Sequence, residues 1–173
     1  MKWLWIVVLV IAAPLLAIVV VGALLPKAHV ASQTATLSQS PDVVWAVVNG
    51  PPTWRPDVRA YKELPPSEGH RRWRETDKHN RTITYEATEE TILLGAVSLR
   101  RLTTRIADKN LPFGGTWTTE VESQGSGSKV TITEKGEVYN PVFRFVSRYI
   151  IGHTASIDAY LNALRAKLKT SSP

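Results

Sequence analysis

Residues Asn140–Leu168 read NPVFRFVSRYIIGHTASIDAYLNALRAKL, and this stretch decides the fold. Asn140 is a favourable helix N-cap, and Pro141 follows at the first helical position, where its missing N–H costs nothing. Apolar side chains then recur at steps of three, four or seven residues and share one helix face: Phe143, Val146, Ile150, Ile157, Leu161, Leu164 and Leu168. The pattern predicts one long amphipathic helix, which needs a large apolar surface to pack against.

The chain before this helix is predicted to form that surface as a β-sheet, because its apolar residues mostly alternate with polar ones. A first strand is predicted at His29–Leu37, a short helix beginning at Ser40-Pro41-Asp42, and a turn or short helix at Trp54–Asp57. Alternation then predicts further antiparallel strands at Val58–Leu64, His70–Thr76, Arg81–Thr88, Arg100–Asp108, Thr116–Glu122 and Lys129–Val138.

The predicted fold class is therefore α+β. A curved antiparallel sheet of about six to seven strands surrounds the long C-terminal helix, because an antiparallel sheet buries one face and leaves the other to solvent. Such a sheet bends more than one helix can fill, so a cavity is expected between them. Leu93–Ser98 is apolar and ambiguous between a strand and a loop that dips into a membrane.

The N-terminus contains a long uncharged run, Trp3–Leu25, of 23 residues. At the helical rise it spans about 34 Å, enough to cross a bilayer core of about 30 Å. We interpret residues 1–27 as a single-pass membrane anchor and residues 28–173 as one folded domain. A cleaved signal peptide is the alternative, although its apolar region is normally shorter. The short N-terminal tail and its charges favour an extracytoplasmic domain.

Composition excludes several classes of site and partner. The 173-residue chain has no cysteine, so disulfides and thiolate metal sites are excluded, and its four histidines are scattered without a zinc-binding spacing. No metal or cofactor is predicted. The net charge of +6 is compatible with an anionic lipid surface or with an ordinary solvated surface. No basic stripe with interleaved aromatic residues is present, so nucleic acid is not an expected partner.

Four short motifs resemble those of a known superfamily: Ser40-Pro41-Asp42-Val43-Val44-Trp45, Trp54-Arg55-Pro56, Thr131–Val138 and Asn140-Pro141. Together they are similar to the START-like, or SRPBCC, superfamily, which includes polyketide cyclases/dehydrases, lipid-transfer domains and the birch-pollen-allergen type. The resemblance covers Val30 to about Leu168. It implies the helix-grip fold, in which a curved antiparallel sheet grips the C-terminal helix around a hydrophobic cavity.

Ten residues are candidates for lining that cavity: Trp54, Trp73, Tyr85, Ile106, Trp117, Glu134, Val146, Ile150, His153 and Ile157. Glu134 lies in the inward phase of the last strand, where a carboxylate serves as an acid, a base or a ligand anchor, or as a bonded structural glutamate. His153 flanks the helix stripe and is either a partner of Glu134 or a core histidine. The aromatic residues suit a lipid or polycyclic ligand, and ordinary core packing explains them equally well. We expect the stripe from Val146 to Ile157 to line the cavity and Leu161–Leu168 to be plain core.

Three functions are compatible with this reading. The first is membrane-anchored binding of a hydrophobic small molecule such as a lipid, a quinone or a polyketide-like compound. The second is an enzyme of the polyketide cyclase/dehydratase type that uses Glu134, with or without His153, as acid and base. The third is an envelope assembly protein that binds no ligand and has a small cavity. The sequence alone identifies no catalytic residue.

Overall fold

The computed structural model describes residues 2–94 and 97–170, with a seven-stranded antiparallel sheet and four α-helices in those ranges. The helices are α1 (Lys2–Leu24), α2 (Pro41–Asn49), α3 (Pro141–Val146) and α4 (Ala155–Thr170); a 3₁₀ turn spans Pro52–Trp54 and a π-helical turn spans Ser147–Ile151. The strands are β1 (Ala28–Leu37), β2 (Val58–Ser67), β3 (His70–Asp77), β4 (Thr82–Leu94), β5 (Val97–Ile106), β6 (Phe113–Gln124) and β7 (Gly127–Val138).

The sheet is ordered β1-β7-β6-β5-β4-β3-β2, so β2 to β7 form a meander and β1 closes onto the last strand. Its concave face packs on α4, whose stripe of Ile157, Leu161, Leu164 and Leu168 is buried against Val121, Val130 and Ile132. This is the predicted helix-grip fold, and the fold class is confirmed. Leu93 and Ser98 pair as neighbouring strand residues, whereas residues 95 and 96 of the ambiguous segment lie outside the described ranges.

The C-terminal helix differs from its prediction as one continuous helix. Asn140 caps it as expected, its side chain accepting hydrogen bonds from the backbone N–H groups of Val142 and Phe143. The helix then widens into the π-helical turn and ends at Gly152, whose φ of +82° favours glycine. It resumes at Ala155. The stripe is thus divided between two separate helical segments, and only the second packs along the sheet.

Helix α1 matches the predicted apolar run. Among the described residues it is the one helix long and apolar enough to cross a membrane, over Trp5–Leu24. Its last turns pack against α3, where Gly22 is buried so closely on Pro141 that a β-carbon there would overlap the Pro141 carbonyl. Arg144, itself buried, donates hydrogen bonds from Nη1 to the carbonyl oxygens of Leu25 (2.7 Å) and Ala23 (3.3 Å). These bonds satisfy carbonyl groups that the end of a helix leaves without partners.

Candidate ligand cavity

A cavity of about 860 Å³ lies between the concave face of the sheet, the 3₁₀ turn and the C-terminal helical segments. This volume is within the range of about 300–1,000 Å³ typical of small-molecule sites. Eight of the ten candidate residues border it: Trp54, Trp73, Tyr85, Ile106, Trp117, Glu134, Val146 and His153. The alternation of side chains along β3 to β7 brings five of them to the concave face of the sheet, and the 3₁₀ turn and the C-terminal helical region contribute the other three.

Ile150 and Ile157 lie outside the cavity, so their assignment to its lining is corrected. Ile150 is in the π-helical turn, where the added residue rotates its side chain outward, and 71% of it is exposed. Ile157 is fully buried, but in the core between α4 and the sheet. Cavity and core therefore lie on two different sides of α4, because Ser156, Ala159 and Tyr160 border the cavity while Ile157 faces the core.

Aromatic rings form much of the apolar wall. Trp73 stacks on Tyr85 with ring centroids 5.6 Å apart, and Tyr160 receives Trp54 and Trp117 edge-on at 5.2 and 5.7 Å. Burial raises the pKa of both the Tyr85 and the Tyr160 hydroxyl, so both stay protonated at neutral pH. Sequence reasoning missed Tyr160, although its position three residues after Ile157 marks it as a neighbour on the same helix face.

One side of the cavity carries a buried charged cluster that sequence reasoning also missed. Glu75 is buried and accepts a hydrogen bond from Nε1 of Trp73 (2.8 Å), while its other oxygen lies 3.2 Å from Nη1 of Arg55. Burial alone would lower the pKa of Arg55, but its hydrogen bond to Asp57 and the charge of Glu75 raise the pKa overall. The cavity thus holds a fixed guanidinium beside aromatic faces, a setting suited to a polar or anionic group on an apolar ligand. The signal in the sequence was Trp73-Arg74-Glu75, which places Glu75 on the inward face with Trp73.

A second polar cluster lies at β1, β7 and the break after the π-helical turn. The imidazole rings of His29 and His153 stack with centroids 4.1 Å apart, and Nε2 of His29 lies 3.4 Å from Oε1 of Glu134. Ser156 donates a hydrogen bond to the other Glu134 oxygen (3.1 Å). Glu134 therefore pairs with His29 directly, and His153 joins the cluster by stacking on the His29 ring. His29 could not be identified from local sequence, because only the β1–β7 register brings it beside Gly136.

Gly136 makes the histidine cluster possible. A β-carbon at this position would stand 2.6 Å from Nε2 of His29 and 2.9 Å from Oε1 of Glu134, so any larger residue would displace one of them. Desolvation lowers the pKa of His153, with smaller contributions from the charges of His29 and Arg148, while Glu134 opposes the shift. His153 is thus biased towards its neutral form at pH 7. Within residues 2–94 and 97–170, no group of three or more His, Asp or Glu side chains is arranged to hold a metal ion.

The curved sheet, the gripped helix and the cavity between them define a helix-grip protein of the START type. The sequence matches the family model described as polyketide cyclase / dehydrase and lipid transport over residues 28–169, and the chain belongs to this family. No curated protein sequence matches the chain significantly.

Solved structures share the fold at low sequence identity. A START superfamily protein from Mycobacterium smegmatis superimposes with a TM-score of 0.60 at 12% identity, covering 83% of this chain and 99% of that one. XoxI from Bacillus cereus gives a TM-score of 0.56 at 19% identity, with coverages of 84% and 99%. Norcoclaurine synthase from Thalictrum flavum, solved with dopamine and hydroxybenzaldehyde, gives 0.54 at 14% identity, with coverages of 84% and 89%. At these identities the likeness shows the fold alone.

Proposed function

We propose that this protein binds a hydrophobic small molecule in the cavity while α1 anchors it to a membrane. The observation that carries the proposal is the cavity of about 860 Å³, walled by aromatic rings and bordered by Arg55 and Glu75. An apolar pocket with a few fixed polar groups is the usual form of a ligand site. The ligand class that fits is an amphipathic molecule, such as a lipid, a quinone or a polyketide-like compound, with its polar group near Arg55.

The packing of α1 supports a retained anchor over a cleaved signal peptide. Gly22 contacts Pro141, and Arg144 donates to the carbonyl oxygens of Ala23 and Leu25. Removing α1 would leave the buried guanidinium of Arg144 without these acceptors, at a cost in stability. These contacts support an uncleaved α1, and the proposed location is that of a single-pass membrane protein with an extracytoplasmic domain.

The test is native mass spectrometry of the full-length protein released from membranes in detergent, followed by identification of any co-purified small molecule. Thr104→Trp, which puts a large ring into the cavity, is expected to abolish the adduct. Thr103→Trp is the matched control, because the neighbouring residue faces the other side of the sheet. Absence of an adduct from the unmodified protein, or equal adducts in both variants, would count against the proposal.

A second candidate function is catalysis of polyketide-type cyclisation, and the cluster of His29, Glu134 and His153 favours it. A carboxylate paired with an imidazole can remove the proton from a carbon flanked by carbonyl groups. The carbanion then adds to a second carbonyl of the same chain, which closes the ring; the alkoxide takes up the proton, and loss of water forms a carbon–carbon double bond. Incubation with a linear poly-β-ketone, followed by mass spectrometry of the product, tests this. Glu134→Gln is expected to lower the rate by about 10²-fold or more, whereas Glu122→Gln, whose partner is Lys129 away from the cluster, is expected to have no effect. Equal rates for the two variants would exclude the role.

The ligand-free assembly hypothesis is less well supported. This hypothesis predicts a small cavity, whereas the cavity has a volume of about 860 Å³. An assembly partner would also bind independently of cavity-filling variants. A membrane-protein partner retained equally by Thr104→Trp and the unmodified chain would favour this hypothesis instead.

A further inference from the structure

A row of apolar side chains is exposed on the segment Val142–Ile151, which comprises α3 after Pro141 and the π-helical turn. The exposed fraction is 71% for Ile150, 61% for Ile151 and 59% for Tyr149, and Val142 and Phe143 are also exposed. Large apolar residues clustered on one short segment mark a surface that is covered in use. Arg148 is exposed in the same turn.

The position of this segment relative to α1 indicates what covers it. Gly22, which contacts Pro141, is two residues before the end of α1, or about 3 Å along the helix axis. Arg144 binds the carbonyl oxygens of Ala23 and Leu25 at that same end. If α1 crosses a bilayer, these contacts hold Val142–Ile151 at the level where the acyl chains meet the headgroups. Apolar segments with flanking basic residues bind at this level.

The same segment borders the cavity. Phe143, Val146 and Ile151 contribute to its lining. The pairing of β1 with β7 shows which end of the sheet is nearest to α1. β1 begins at Ala28, just after α1, and Ala28 pairs with Glu137 near the end of β7. Phe113, which opens β6 opposite Val138, lines the cavity at this end of the sheet. The cavity thus reaches the end of the sheet nearest to α1.

We infer that Val142–Ile151 lies in the interfacial layer of the lipid bilayer and forms a lip through which the cavity opens onto the acyl chains. Ligand then passes between membrane and cavity without crossing water. Arg148 on the lip and Lys27 after α1 are exposed, and at this depth their positive charges would interact with lipid phosphate groups. The inference rests on the proposed function in requiring the anchor, but it concerns the depth of the lip and not the identity of the ligand.

The absence of cysteine from the sequence allows a direct measurement of depth. Full-length Ile150→Cys, labelled with an environment-sensitive fluorophore, is reconstituted into vesicles of phosphatidylcholine with a minor fraction of phosphatidylglycerol. Leu93→Cys is the matched control: Leu93 is 75% exposed and apolar, but it lies at the opposite end of the sheet, at the β4–β5 tip. Tyr149→Cys gives a second position on the lip.

Lipids with a nitroxide near the headgroup are expected to quench the Ile150 and Tyr149 labels about threefold more strongly than the Leu93 label, because an interfacial side chain lies about 5–10 Å deep in this layer. Aqueous iodide is expected to show the reverse order. Equal access of iodide to all three labels in protein that resists alkaline extraction overturns the inference while leaving the anchor intact. Release of the whole chain by alkaline extraction instead overturns the anchor. If the Ile150 label lies in the lipid but no small molecule co-purifies with the protein, the interfacial position of the lip is supported and the proposed ligand binding is contradicted.

Discussion

The imidazole ring of His29 stacks on that of His153, with centroids 4.1 Å apart and planes inclined by 19°. The two rings come from the first strand of the domain and from the break between its C-terminal helical segments. A positive charge on the His29 ring disfavours one on His153, and this repulsion adds to desolvation in lowering the pKa of His153. The single carboxylate of Glu134 lies beside His29 and has capacity to balance one such charge.

The first prediction concerns pH. The pKa of His153 is lowered from its ordinary value of 6.5 by desolvation and by its cationic neighbours. Below that value the unfolded chain binds a proton that the folded protein resists, so stability is complete above about pH 6.5 and falls as the pH drops towards the folded pKa. Denaturant unfolding between about pH 8 and about pH 5 measures this effect. His153→Gln is expected to flatten the profile, and an unchanged slope in that variant would contradict the assignment.

The second prediction concerns the buried charge pair of Glu75 and Arg55. Glu75→Gln is expected to lower the free energy of unfolding by about 1–3 kcal/mol, because the guanidinium of Arg55 loses one of its two carboxylate partners and keeps only Asp57. Glu120→Gln is the control, since Glu120 pairs with Arg101 in a more solvated setting and exposed pairs contribute about 0–1 kcal/mol. Urea denaturation compares them, and similar losses for the two variants would show that Glu75 is not an essential partner.

The third prediction concerns Gly136. Gly136→Ala is expected to displace His29 or Glu134 and to lower stability by about 1–3 kcal/mol, as overpacking usually does. Gly114→Ala is a milder change, because its new β-carbon would meet only the hydroxyl of Tyr139, an exposed side chain that can move. Thermal unfolding ranks the two variants. If Gly114→Ala proves the more damaging, the close packing around Gly136 is not what limits substitution there.

The fourth prediction concerns the packing of α1 on the domain. Gly22→Leu keeps the helix apolar but inserts a side chain where Pro141 lies, so α3 is expected to separate from α1. Hydrogen exchange of the full-length protein in nanodiscs is expected to show faster exchange in Pro141–Val146, with membrane insertion unchanged. Ala17→Leu on the exposed side of α1 should leave this exchange rate as it is. Equal protection in the two variants would mean that the Gly22 contact does not hold α3 in place.

Local pattern was enough to predict most of the architecture. The alternating segments became β2 to β7, and Ser40 and Asn140 occupy the N-cap positions of α2 and α3 as predicted, although only the Asn140 side chain accepts a capping hydrogen bond. Local pattern did not predict the π-helical turn. Phe143, Ile150 and Ile157 keep helical spacing, although the first two are exposed and Ile157 is buried in the core. Periodicity records that a side chain is apolar, and it does not distinguish a protein core from an exposed surface.

The candidate site was only partly predictable for a related reason. The inward phase of the last strand identified Glu134, because alternation is a local property, and Trp73 and Trp117 were candidates as large aromatic side chains. His29 depends on which strand pairs with β1, and Arg55 depends on the path of the turn before β2. Both are long-range consequences of the sheet order, which no short motif encodes.

The bonds from Arg144 to the end of α1 also impose an order of events during synthesis. Arg144 is 119 residues later in the chain than Leu25, its acceptor. While a ribosome makes the intervening residues, the carbonyl groups of Ala23 and Leu25 do not yet have Arg144 as a partner. The contact between α1 and the rest of the chain therefore forms late, after all seven strands have been synthesised. If α1 is retained in a membrane as proposed, a newly made domain takes up its fixed position relative to the bilayer only at this last step.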